Sequence, residues 1–461
     1  ANAGGFGGFG AVVTYDFGTS TYAGLWSSSY DNANDYQYII NETGTDKLES
    51  FKTSMAMIMK ALVFERLVNQ FNNVPYSDAL KGIVSLQPKY DKAEDIYKAS
   101  IADLDKAMAT ITAGQAASAT EVKRIPEPID PLFKGDMQRW KQFANTIKLR
   151  MLIKMAGVTA LQSFTTPAFT SMDLTTGFIT ADAIVQPGYE KTNRPNPVYN
   201  AIGFTTTGAN TTTSRIPSKF IYSFYSGGKL SDPGRGSVIY RSFPNTPTNQ
   251  LGDETAGVPS ALSAGSSWST GTNANNVLGV SKGATQGTPI MLAAESNFLQ
   301  AEAIVRGYIT TGSAATKFNE GITQSFTYLY KDVTGAVPAT KNVATDVAAY
   351  QAANATSPLV NFTLAVSFDQ KIEAIITQKY IALNMINNDE AFNEYRRTEY
   401  PKIVKGSQDP VLTFASRQSI STRTDKLPSR VLYPQEEYNL NPANAPTGIN
   451  KFTSLIFWDI N

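Results

Sequence analysis

Apolar residues recur at helical spacing in separate stretches of this chain, and that period decides most of what it can fold into. Between residues 47 and 71, Phe51, Met55, Ile58 and Leu62 fall on one face of an amphipathic helix. The pattern stops at FNNVPY, where the residue before Pro75 is driven out of helical geometry. A second helix opens at YDKAED, with Asp91 as the expected N-cap and Glu94 three residues on as a capping box. Its stripe is Tyr97, Ile101, Leu104, Met108 and Ile111. A third runs through GDMQRWKQFANTIKLRMLIKM with Trp140, Ala144, Ile147 and Met151 on one side.

The texture changes near residue 159. From there to about 287 the chain is rich in Thr, Ser, Gly, Asn and Pro and keeps no helical period. Its scattered Phe220, Tyr222, Phe224, Tyr240, Phe243 and Trp268 argue for a folded, loop-rich cap and against disorder. Helical spacing returns at Pro289 with Met291, Ala294, Phe298, Ala301, Val305 and Tyr308, and a partner helix follows over 315–331. A further helix is expected after Ser367 as N-cap, with Ile372, Ile376, Tyr380 and Leu383 inward. Successive helices joined by turns imply a mainly α fold of stacked, tetratricopeptide-like hairpins, although no clean repeat of about 34 residues is found. The expected organisation is one domain over 1–461, with a helical core at about 26–158 and 289–400 and the cap at 159–287.

Composition narrows the chemistry. The chain lacks histidine and cysteine, which removes the usual general base, thiol chemistry, disulfides and zinc-finger sites. Any metal site would have to be all-oxygen, and no D-x-D-x-D-G loop is present, so no essential metal and no cofactor is expected. Forty basic against thirty-nine acidic residues create no field of one sign for nucleic acid or an anionic bilayer. Gly5, Gly7 and Gly10 satisfy G-x-G-x-x-G, but no strand precedes them, and a loop carrying exposed aromatics is the expectation.

Three constellations have two readings each. Glu295 and Glu302 share a helix face two turns apart, so a paired-carboxylate glycosidase site is one reading. Arg306 stands four residues after Glu302, which favours structural ion pairing. In EAFNEYRRTEYP, Arg396 and Arg397 point about 100° apart on a helix and do not serve one pocket. One is expected to meet a carboxylate of a neighbouring helix, the other to be solvated or to cap carbonyls. Trp26 and Tyr30, spaced i and i+4, form either a core pair or an aromatic face for a flat ligand.

Six segments carry a family resemblance: FNNVPYSDAL, PKYDKAEDIYKASIADLDKA, GDMQRWKQFANTIKLRM, ESNFLQAEAIVRGY, IITQKYIAL…EAFNEYRRTEYP and SRVLYPQEEYNLN. Their order and spacing resemble the SusD/RagB-like proteins from about Trp26 to the C-terminus, and in particular the second SusD-like subgroup. The resemblance implies a SusD-like fold with four helical hairpins and a loop-rich ligand face. It implies a lipoprotein on the outer face of the outer membrane, a lid on a TonB-dependent SusC-like barrel, and a binder of oligosaccharide or peptide with no enzymatic role. The expected signal peptide and lipidated cysteine are missing, so this chain is expected to be a trimmed, soluble form whose native lipid anchor is absent. The implied ligand face comprises the N-terminal aromatic segment and residues 188–287. Within it Trp26, Tyr30, Tyr189 and Trp268 are the expected stacking rings, with Asp31, Asn32 or Asn34 taking hydroxyls. The competing functions are a carboxylate-dependent glycoside hydrolase and a helical scaffold that binds protein.

Overall fold

The computed structural model describes residues 1–3, 10–212, 214–255, 258–260, 266–271 and 277–459. Gly5 and Gly7 lie outside the described residues. The chain forms two compact units: Ala1–Asp16 with Thr180–Leu427, and Phe17–Ile179 with Pro428–Asn461. The two helical stretches legible in the sequence therefore go to different units. Nine long helices carry labels here, and shorter ones are given by residue range.

The unit built on Phe17–Ile179 contains α1 (Ala23–Thr43), α2 (Ser50–Phe71), α3 (Ala93–Ala116) and α4 (Met137–Ala156), each packed on the next. The stripe of α3 is buried along its length, as its spacing predicts. α4 is buried nearly all round, beyond the single side expected, and takes charged side chains in with it. Glu65 of α2 is the reason two of them are tolerated. It accepts from Arg150 at 2.9 Å (Nε) and 2.5 Å (Nη2) and from Lys154 at 3.1 Å. Buried charges persist when paired and hydrogen-bonded in this way.

The link between α2 and α3 is a two-stranded antiparallel ribbon, β1 (Val74–Pro75) with β2 (Tyr90–Asp91). Asp91 does not cap α3; the N-cap is Lys92, without a side-chain bond. The Asp91 carboxylate is already engaged, accepting from the backbone N–H groups of Tyr76 (2.8 Å) and Ser77 (2.9 Å) and from the Ser77 hydroxyl (2.6 Å). Three local donors outcompete a helix end. At the start of α4, Asp136 is a true cap, accepting from the backbone of Gln138 and Arg139. Gly135 just before it has φ +82°, and a Cβ there would stand 2.2 Å from the Ile125 carbonyl oxygen.

In the other unit, β3 (Ala183–Val185) pairs antiparallel with β4 (Thr288–Met291). Pro289 and Met291 therefore belong to a strand, not to a helix start as their spacing implied. Then come α5 (Ala293–Val305), α6 (Ala314–Tyr330), α7 (Val343–Ala353), α8 (Phe368–Leu383) and α9 (Asn388–Thr398). Helix α5 packs on α6 and α8, α6 on α7, and α8 on α9. Ser367 caps α8 in a reciprocal box with Gln370. The loop-rich stretch is folded around short helices, among them Pro197–Ile202 and Pro233–Ile239. Its Phe220, Tyr222, Phe224, Tyr240 and Trp268 join the core formed by α5, α6 and α8.

Candidate functional site

The paired carboxylates resolve first. Glu302, 1% exposed, accepts from Arg306 Nε at 2.7 Å and from both Arg397 Nη atoms at 2.7 and 2.8 Å. The fork of Arg397 also reaches Glu394. Burial pushes the Glu302 carboxyl up, but Arg397 and then Arg306 outweigh it and hold it down at about 2. Glu295 lies 3.8 Å from Lys379, whose ammonium it shares with Glu390 (3.4 Å) and Glu394 (3.0 Å). Arg396 is not solvated, as one reading of it had held. It is buried, donates to Asn393 Oδ1 at 2.5 Å and lies over the Phe392 ring. Arg397, Arg306 and Lys379 are thus the cations of a buried charge lattice that ties α5, α8 and α9 together.

The four rings expected to face ligand divide between the two units. Trp26 and Tyr30 sit on α1, in the unit built on Phe17–Ile179. Trp26 is buried against Tyr30 (4.9 Å between ring centroids), Phe71 (5.0 Å), Tyr433 (5.9 Å) and Tyr90 (6.2 Å). Tyr30 donates its hydroxyl to the Pro75 carbonyl at 2.7 Å, and burial, then the nearby Glu437, pushes its pKa up. Tyr433 fixes the same turn through the carbonyls of Phe71 (2.7 Å) and Asn73 (2.6 Å). This aromatic cluster clamps the FNNVPY turn, which corrects the expectation that both rings stand outside a core stripe. Asp31, Asn32 and Asn34 are exposed on α1.

Trp268 is likewise buried, with its backbone N–H donated to the Ser266 hydroxyl at 3.1 Å. Its ring completes the core of its own unit because the loop-rich stretch has no helical stripe to do so. Tyr189 differs. Its half-buried ring rises from a tight loop in which Glu190 N–H bonds the Arg194 carbonyl at 2.9 Å. Gln186 Oε1 accepts from the N–H groups of Gly188 (3.1 Å) and Tyr189 (2.9 Å). Arg194 closes the loop on the Gly188 carbonyl at 2.8 Å, and Thr288 donates to the Tyr189 hydroxyl at 3.1 Å. The result is an aromatic ring held in a hydrogen-bonded loop whose Lys191, Asn193 and Arg194 are exposed. Gln186 and Thr288 were not anticipated: Thr288 is 99 positions away, and a supporting amide carries no local signal.

Among the described residues no group of three or more carboxylates is placed to hold a metal ion. Nor is any described helix long and apolar enough to cross a membrane.

A mainly helical chain with stacked hairpins and a folded loop-rich stretch defines a class, and comparison with known proteins makes it specific. Residues 6–434 match the SusD-like family described as starch-binding and associating with the outer membrane, and the chain belongs to that family. Similar solved structures include a chitin-binding protein at 25% identity and TM-score 0.67, with 100% of this chain and 92% of the other covered. A SusD homologue from Bacteroides fragilis has 22% identity and TM-score 0.68, covering 98% and 92%. A chitin-binding SusD homologue from Flavobacterium johnsoniae has 21% identity and TM-score 0.72, covering 98% and 90%. No curated protein matches the sequence.

Proposed function

We propose that the chain is a cell-surface binding protein that captures oligosaccharide and hands it to a SusC-like, TonB-dependent barrel in the outer membrane. The observation that carries this reading is membership of a starch-binding, outer-membrane-associated family. The charge lattice speaks against the hydrolase alternative. A general acid needs a proton at working pH and a nucleophile needs an open face. Glu302 is ionised and both its oxygens are held by arginines.

Of the four candidate rings, Tyr189 is the one we assign to ligand contact. Trp26, Tyr30 and Trp268 supply the framework. Stacking on Tyr189 supplies apolar contact and a polar tip, and hydroxyl bonds that exchange with water add about 0.5–1.5 kcal/mol each. Affinity of the isolated protein is therefore modest, in the range where one ring matters. Tyr189→Ala is expected to weaken glycan binding about tenfold with the denaturation midpoint unchanged. Isothermal titration across starch-, chitin- and other glycan-derived oligosaccharides, with chromatography of the recovered sugar, measures both binding and cleavage. Shortened products would replace this reading with the hydrolase, and unaltered affinity in Tyr189→Ala would move the contact elsewhere. Copurification of the barrel with the lipidated protein tests the delivery step.

A further inference from the structure

The unit built on Phe17–Ile179 holds a cleft of about 390 Å³ between α1, α2 and the chain following β1. It has no part in the reading of Tyr189. Its lining includes the half-buried ring of Tyr76, which meets the fully buried Phe64 behind it edge to face at 4.7 Å. Its walls are polar. Gln37 and Asn41, one turn apart on α1, are bonded to each other at 2.7 Å through Gln37 Nε2 and Asn41 Oδ1. Lys60 reaches in from α2, donating to Gln37 Oε1 at 3.1 Å and standing 5.5 Å from the Tyr76 ring centroid. Ser77 completes the rim.

The charge balance decides the ligand class. The Lys60 ammonium is 3.7 Å from Asp103, which also accepts from the Tyr76 hydroxyl at 3.3 Å. At the rim, Lys81 is paired with Asp78 at 3.1 Å. Each cation thus has its own anion, and an entering carboxylate or phosphate would compete with both. What remains is a set of neutral amide and hydroxyl groups with bonding capacity to spare. The Asn41 amide nitrogen, the remaining Gln37 amide hydrogen and the Ser77 hydroxyl oxygen belong to residues that line the cleft with the Tyr76 ring. Mixed donors and acceptors beside the Tyr76 ring match a ring whose edge carries hydroxyls and whose face carries C–H groups. Tyr38, 64% exposed, lies three residues from Asn41 and so beside it on the helix surface, extending the same chemistry outward.

We infer that this cleft, with Tyr38 beside it, is a second binding site that takes one or two neutral sugar rings. The groups that carry it are Gln37, Asn41, Lys60, Tyr76 and Ser77.

The test follows backbone amide and side-chain amide NMR shifts of the whole protein during titration with maltotetraose, chitotetraose and sodium sulfate. At least one sugar is expected to shift the amides of Gln37 and Asn41 with a dissociation constant in the millimolar range. Asn41→Ala and Tyr38→Ala are each expected to weaken that response about three- to tenfold. Tyr189→Ala should leave it unchanged, which separates this site from the proposed contact at Tyr189. Shifts at the Tyr189 loop with silence at Gln37 and Asn41 would overturn the second site and leave the first reading standing. Shifts at Gln37 and Asn41 that survive Asn41→Ala and Tyr38→Ala would overturn the assigned contacts. A response to sulfate alone, or to none of the three probes, would overturn it as well.

Discussion

Glu302→Ala is expected to lower stability by about 3–5 kcal/mol, the usual cost of removing one partner of a buried ion pair. The variant leaves the Arg397 guanidinium, 8% exposed, without the carboxylate of α5. The effect has a pH signature with a definite sign. The Glu302 carboxyl titrates at about 2 in the folded protein and at an ordinary carboxylate value when unfolded. A depressed folded-state pKa gives stability that is fully present above the unfolded value and lost as pH falls toward the folded one. Denaturant melts of wild type and Glu302→Ala should therefore differ most above about pH 5 and converge toward pH 2, with about 3 kcal/mol of the gap disappearing. A melt identical to wild type at neutral pH, coupled with loss of sugar cleavage, would restore the hydrolase reading and end the structural one.

Trp26→Ala is expected to cost a similar amount, about 3–5 kcal/mol, because a buried aromatic is removed and its cavity collapses only in part. Four rings lose their common neighbour, and two of them, Tyr30 and Tyr433, hold carbonyls of the turn that follows α2. The readout that separates packing from ligand contact is affinity measured on protein that is still folded. Glycan affinity should stay within about twofold of wild type while the denaturation midpoint falls, and Trp26→Phe should recover part of the stability. A midpoint that stays put while affinity collapses would return Trp26 to the ligand face.

Local patterns were read correctly where one helix face decides the outcome. The stripe on α3 and the Ser367 cap of α8 depend on residues within a few positions of one another, so period and capping chemistry reveal them. The absence of histidine and cysteine also set the available chemistry before any fold was known. Where two local rules competed, the sequence misled. Asp91 has the spacing of an N-cap, but the N–H groups of Tyr76 and Ser77 claim its carboxylate once β1 and β2 pair. The apolar period beginning at Met291 continues a helical stripe on paper, yet that residue is in β4 because Ala183 pairs with it from over a hundred positions away.

The helices, the folded character of the stretch from 159 to 287 and the six segments that carry the family resemblance are all legible in the order of the amino acids. Tertiary structure alone decided which polar and aromatic groups are available to a ligand. Burial depends on what packs against a side chain, and at Trp26 and Trp268 that neighbour comes from elsewhere in the chain or from a loop with no period. Long-range packing also brings Thr288 to the Tyr189 hydroxyl, and Lys60 to the amide of Gln37.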